Sequence, residues 1–139
     1  MKESITRRVH ELYWEKDINC AGTTLICLGE FFGTDIGPQT LRAAAGMHGA
    51  GGYRAQCGLV EGTLMFLGIY LPLMGKTEAE TVSACYHFAA AFEEAFGSLR
   101  CAELRPGGFS ENDPPHLCES LTCKAVEFSC QYISKLTGR

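Results

Sequence analysis

Residues 46–68 read GMHGAGGYRAQCGLVEGTLMFLG, a glycine-rich loop running straight into an apolar stretch with helical spacing, with Cys57 at the junction. Loop glycines allow positive φ and close backbone approach, and a helix start leaves its first N–H groups without intrahelical partners. Those donors and the helix dipole favour negative charge. A thiol placed there is expected to lose its proton more readily than a free cysteine, so Cys57 reads as a candidate thiolate, either nucleophile or metal ligand. Leu64, Met65, Phe66, Leu67, Ile69 and Leu71 then cover nearly every side of the following helix, which marks it as the central, most buried element, ending near Pro72.

Upstream of this stretch, Ile5, Val9, Leu12 and Tyr13 recur at three- and four-residue intervals, as in an amphipathic helix over residues 3–16. Asn19 is a good N-cap for a second helix that starts at Cys20 and ends at Gly33. Pro38 suits the start of a short third helix, Gln39 to Ala45, closed by Gly46. Downstream, Thr77 with Glu80 resembles a capping box, opening a helix that runs to Gly97. SLRCAEL at 98–104 opens a short turn or helix, and RPGGFSENDPP at 105–115 is turn-rich loop. Pro114 and Pro115 prepare a last helix, with Cys118 in its first or second turn, running to about Leu136. No period-two run of β-branched residues occurs. The expected fold is therefore all-α, one domain over residues 1–139, a compact bundle of five or six helices with the glycine-rich loop ahead of the central one.

The chain has 139 residues, 46% hydrophobic and 20% charged, ordinary for one globular domain with a sizeable core. Its net charge is −4 and its basic residues are scattered, which argues against a nucleic-acid partner. The first residues lack an uninterrupted apolar region, and no segment approaches a membrane span, so the expected location is cytoplasmic. In that setting the eight cysteines point to metal binding, redox chemistry or packing rather than structural disulfides. None of them forms a C-x-x-C pair.

Position divides the cysteines. Cys20, Cys57, Cys101 and Cys118 fall at or near expected helix starts, beside Asn19, the glycine loop, Ser98 and the paired prolines. Cys27, Cys85 and Cys130 sit inside helices among apolar neighbours, where a cysteine serves as a small hydrophobe with a raised pKa. Cys123, five residues after Cys118, is turned away from it around the helix. Thiolates repel one another and share a pocket only with a cation, a metal or a disulfide. Four of them converging is the ligand set of an iron–sulfur cluster or a structural zinc, and two could instead form a cycling disulfide.

The run Asn19-Cys20-Ala21, the run CGLVEGTLMFLG at 57–68, FGSLRCAEL at 96–104 and finally Cys118 resemble the C-GCAxxG-C-C family of redox-active proteins over roughly residues 19–132. Cys20, Cys57, Cys101 and Cys118 line up with the four hallmark cysteines of that family. The resemblance implies a redox or electron-transfer role with these four as the reactive set, and an iron–sulfur centre, because a related domain occurs in split-Soret-type cytochromes. Leu59 stands where the motif usually has alanine, and His48 and Ala50 interrupt the loop glycines.

Other residues around the motif have a functional and a plain reading. The loop lacks the Gly-Lys-Ser/Thr ending of a phosphate cradle. Its amides, with Gly51, Gly52 and Gly58, are better used as donors to cluster or thiolate sulfur, or simply make a tight turn. Glu61, four residues after Cys57, shares its helix face and could move a proton, though a solvent-facing carboxylate is commoner. His48 and His116 read as ligands, proton carriers or surface histidines. Tyr53 and Arg54 could close over the pocket, and Arg54 or Arg100 could steady a thiolate. The sequence thus points to one four-cysteine redox centre, most readily ligating iron–sulfur or another thiophilic metal and serving a redox partner protein or small electron carrier. A metal-free thiol–disulfide oxidoreductase and a non-enzymatic metal-binding accessory protein, with zinc or no cofactor, are the alternatives. The apolar central helix also permits a homodimer.

Overall fold

The computed structural model describes residues 2–105 and 117–139. Its helices are α1 (Lys2–Trp14), α2 (Cys20–Phe31), α3 (Pro38–Ala43), α4 (Gly58–Leu73), α5 (Glu78–Phe96), α6 (Cys101–Leu104) and α7 (Glu119–Thr137). Among the described residues there is no strand, only an isolated antiparallel bridge between Gln56 and Arg100. The fold is all-α, as expected. Among the described residues seven helices replace the expected five or six: the short α3 stands where Pro38 places it, and α6 is the single turn that the sequence left open as turn or helix. The expected loop over residues 106–115 and His116 lie outside the described residues.

Local chemistry sets most of the helix ends. Asn19 accepts a hydrogen bond from the Gly22 N–H at 2.8 Å, and its own amide donates to Ala44 O and Ala45 O. One side chain thus caps α2 and ties its start to the 3₁₀ turn Ala44–Gly46 that follows α3. Thr77 and Glu80 close both bonds of a capping box on α5, and Gly97, at φ 90°, ends that helix in the left-handed region. Pro72 falls in the last turn of α4, which continues to Leu73.

Helix α4 is the central element, packed against α2, α5 and α7. Val60, Phe66 and Leu67 on it are fully buried, with Leu25 and Leu28 of α2, Phe88 and Phe92 of α5, and Val126 and Ile133 of α7. Phe128 and Tyr132 extend the aromatic cluster of Phe88 and Phe92 between α5 and α7. Two buried hydroxyl pairs cross the core, Thr63 with Ser129 at 2.9 Å and Tyr13 with Thr122 at 2.6 Å. No described helix is long and apolar enough to cross a membrane.

Helices α2 and α4 approach each other closely. A Cβ on Gly62 would stand 2.7 Å from Ala21 O and 2.9 Å from the Thr24 Cβ, so only glycine allows this spacing. Gly58, one turn earlier, meets the first residues of α2 in the same way. The glycines of the 57–62 motif therefore bring two helix starts together.

Candidate functional site

All four hallmark cysteines stand at helix starts. Cys20 is the first residue of α2 and Cys101 the first of α6, while Cys57 and Cys118 immediately precede α4 and α7. Cys57 has extended backbone, φ −64° and ψ 136°, as an N-cap requires. Its N–H donates to Leu99 O at 2.8 Å, and the Cys101 N–H donates to Ala55 O at 2.7 Å. These bonds straddle the Gln56–Arg100 bridge and hold Cys57 and Cys101 as diagonal neighbours across it. On the other side, a Cβ on Gly58 would fall 2.2 Å from the Cys20 sulfur, so that thiol fills the space glycine leaves beside Cys57.

The glycine loop packs on the third cysteine. Gly49, Ala50, Gly51 and Gly52 all have positive φ, between 57° and 84°, forming a left-handed turn that only a glycine-rich segment adopts cheaply. A Cβ on Gly49 would lie 3.2 Å from the Cys101 Cβ. The loop is thus a backbone wall against Cys101.

The thiols feel one another. Burial pushes Cys20 up to about 12, and Cys57, Cys101 and Cys118 add to the rise. Cys57 is pushed up to about 11, again by burial first, with Cys101 and Cys118 adding to it. The Leu59 and Val60 amides favour its thiolate but close no full capping hydrogen bond. The expectation that the helix start would make Cys57 more acidic is therefore corrected. The amides act in the expected direction, but Cys57 is only 5% exposed and desolvation outweighs them. Cys101 and Cys118 are also raised by burial; Arg105 opposes the rise at both, and Arg54 at Cys101.

A cavity of about 420 Å³ opens over Cys20, Cys101 and Cys118, with Cys57 buried behind them. Of the other residues singled out in the sequence, Gly52, Arg54 and His48 line this cavity. Gly58 acts through its close approach to Cys20. Gly51 and Glu61 do not line it, and Glu61 accepts a hydrogen bond from the Gln56 amide. Tyr53 is 85% exposed, and Arg100 lies 3.9 Å from Glu103.

Several cavity residues carry no functional signal in the sequence, Tyr13 and Arg105 among them. Tyr13 reaches the cavity from α1, and its hydroxyl is pushed far above the phenol range by burial, then by Cys20. Its helical spacing is that of any core residue, so the sequence carries no signal for it. Arg105 borders the cavity from the end of α6 and supplies the cation that Arg100 was expected to give. Its place in a turn-rich stretch hid that role.

The donor set suits a thiophilic group: four thiols, buried or half-buried, with arginines nearby. Among the described residues, however, no three His, Cys, Asp or Glu side chains are arranged to hold a metal ion. The remaining cysteines stand elsewhere. Cys27 and Cys130 are buried, and Cys85, half-buried, directs its thiol at Leu64 O. Cys123 meets Thr6.

Glycine approach, four helix-start thiols and a cavity lined by three of them define a cysteine-centred helical protein. Residues 18–132 match the family described as "Putative redox-active protein (C_GCAxxG_C_C)", and the chain belongs to that family. No curated protein and no solved structure matches it.

Proposed function

We propose that Cys20, Cys57, Cys101 and Cys118 act as one redox centre that holds an iron–sulfur cluster and passes electrons to a partner protein or small carrier. The observation that carries this reading is the convergence of thiols from four helix starts: Cys20, Cys101 and Cys118 line one cavity, and the Cys20 sulfur fills the space at Gly58, next to Cys57. Buried thiols so placed cannot ionise together without positive charge among them. An iron–sulfur core supplies that charge and, when bound, one-electron chemistry.

The four cysteines would hold it, and the chain's other groups would set its surroundings. Amides of Leu59 and Val60 favour charge on the Cys57 sulfur, and that of Ala21 does so at Cys20. Arg54 and Arg105 add positive charge at the cavity. Tyr13, tied to Thr122, closes the floor toward the core and keeps water from the inner sulfurs.

That same observation favours a second reading, thiol–disulfide exchange without metal. Cys57 and Cys101, joined across the Gln56–Arg100 bridge, are the natural pair. Their two thiols would give two electrons and two protons to a substrate disulfide, leaving one S–S bond here and two thiols there. Anaerobic purification followed by iron and acid-labile sulfide analysis separates the readings. Brown protein with both elements supports the cluster. Colourless protein with one reducible disulfide, lost in Cys57→Ser, supports exchange, and bound zinc without redox response contradicts both.

A further inference from the structure

Helix α4 is packed by α2, α5 and α7 on most sides but keeps one stripe open. Leu64 and Met65 on that stripe are half-buried, and Gly68 and Pro72 are exposed. These positions continue the line of Cys57 and Glu61 along α4 at three- and four-residue steps. A Cβ on Gly68 would meet nothing within 4 Å, so this glycine, which weakens the helix interior, serves no close approach among the described residues, unlike Gly62 against α2. Helix α5 lies alongside, joined where the Cys85 thiol points at Leu64 O. It extends the open face with Val82 and Tyr86, which are 62% and 73% exposed. Apolar side chains so exposed on adjoining helices, with no charge at the centre, mark an interaction surface.

Building on the electron-transfer reading above, we propose that this α4–α5 face docks a redox partner protein whose own surface has an apolar centre ringed by lysine and arginine. Charge selects the occupant. The two helices carry Glu61, Glu78, Glu80, Glu93 and Glu94 with no lysine or arginine, five negative charges in a chain whose net charge is −4. Glu61 lies on the open stripe of α4, and Glu78, Val82, Tyr86 and Glu93 follow one line on α5 at steps of four and seven residues. Carboxylates thus border the apolar centre at both ends. A second copy of this chain would set them against their own equivalents, whereas a basic rim pairs with them. Arg54 and Arg105 stand at the cavity instead, and Lys76 opens on the other flank of α5, toward Tyr132 and Leu136. A basic partner is therefore steered away from the cavity mouth and toward the α4–α5 face.

The docked partner meets the centre from the side of Cys57, the hallmark cysteine that does not line the cavity. Cys57 is the N-cap of α4, and Met65 and Gly68 stand about 12 and about 17 Å from it along the helix, at 1.5 Å per residue. One electron leaves the centre and one oxidised carrier in the partner gains it, with no bond made or broken. The apolar contact excludes water from the junction, and the acidic rim sets approach and orientation, so salt weakens the association.

The probe is ferricytochrome c, a small lysine-rich haem protein, beside the same protein with its lysines acetylated, which removes their charge. Each is titrated calorimetrically into the anaerobically purified chain at about 10 mM and at about 150 mM salt. The expected result is binding of the unmodified probe that weakens as salt rises and is absent with the acetylated one. Glu78→Lys and Glu93→Lys should each weaken it about tenfold, and Val82→Ser should weaken it while the salt dependence stays. Glu3→Lys, which makes the same change in net charge on α1, should leave binding within about twofold of wild type. No binding, or equal loss in Glu3→Lys and Glu93→Lys, would overturn the proposal. So would sedimentation of the chain as a dimer that Val82→Ser separates, since the occupant is then a second copy. The heat of binding is read separately from iron and sulfide content. Docking to an iron-free chain contradicts the cluster reading and leaves this face standing, and a cluster without docking does the reverse.

Discussion

Gly58 shows how one residue joins motif to chemistry. Its missing side chain is the room in which the Cys20 sulfur lies, with Met47 O 2.8 Å from where a Cβ would be. Gly58→Ala should therefore destabilise the fold by about 2–3 kcal/mol, the upper part of the overpacking range, and displace the Cys20 thiol. Denaturant unfolding checks the first effect, and a faster alkylation of Cys20 in metal-free protein checks the second. The buried thiols also set a pH window. Cys27 and Cys130 are each pushed from an ordinary 9.0 to about 12. The unfolded chain releases these protons first as pH rises, so the folded state binds more protons and its stability falls between about pH 9 and about pH 12, with no change from this source below that. Reduced protein should thus unfold at lower denaturant at about pH 10.5 than at about pH 8, and an unchanged midpoint would contradict the assignment. At this scale the sequence was legible in kind but not in sign. The glycine loop, the helix start and the thiol at Cys57 are where the spacing places them, yet its acidity depends on burial by remote segments, which no local pattern reports.

Among elements, the contact of α2 with α4 positions the site. Gly62→Ala would drive a Cβ into the Ala21 backbone, 2.7 Å from its carbonyl oxygen, where no flexible side chain can yield. The helices must part, costing about 3 kcal/mol and loosening Cys20 from Cys57 together. Thr77→Ala is the matching control. It removes one half of the capping box on α5, away from the cysteines, and should cost about 1 kcal/mol while leaving cofactor content and thiol reactivity unchanged. Helix identities and caps were readable because Asn19, the Thr77–Glu80 pair and Gly97 act on their own neighbours through short-range bonds. The single turn of α6 was not cleanly separable from a loop turn, whereas α3 was announced by Pro38. The left-handed turn at Gly49–Gly52 could be foreseen as glycine-dependent, but its packing against Cys101 is a tertiary fact.

For the whole molecule, Cys20, Cys101 and Cys118 line one cavity, and Cys57 is set beside Cys20 by the close approach at Gly58 and diagonal to Cys101 by the Gln56–Arg100 bridge. The four cysteines were legible as a set because each lies beside helix-starting chemistry and because the family motif orders them. Tyr13 and Arg105 were not, since their roles arise only where α1 and α6 meet that set. If the four helix-start cysteines hold the cofactor, a serine scan separates them from Cys85. Iron and acid-labile sulfide per chain would be measured in anaerobically purified Cys20→Ser, Cys57→Ser, Cys101→Ser and Cys118→Ser beside Cys85→Ser. Each of the first four should lose most of both elements while Cys85→Ser keeps the wild-type content. Wild-type content in Cys57→Ser, or equal loss in Cys85→Ser, would contradict it.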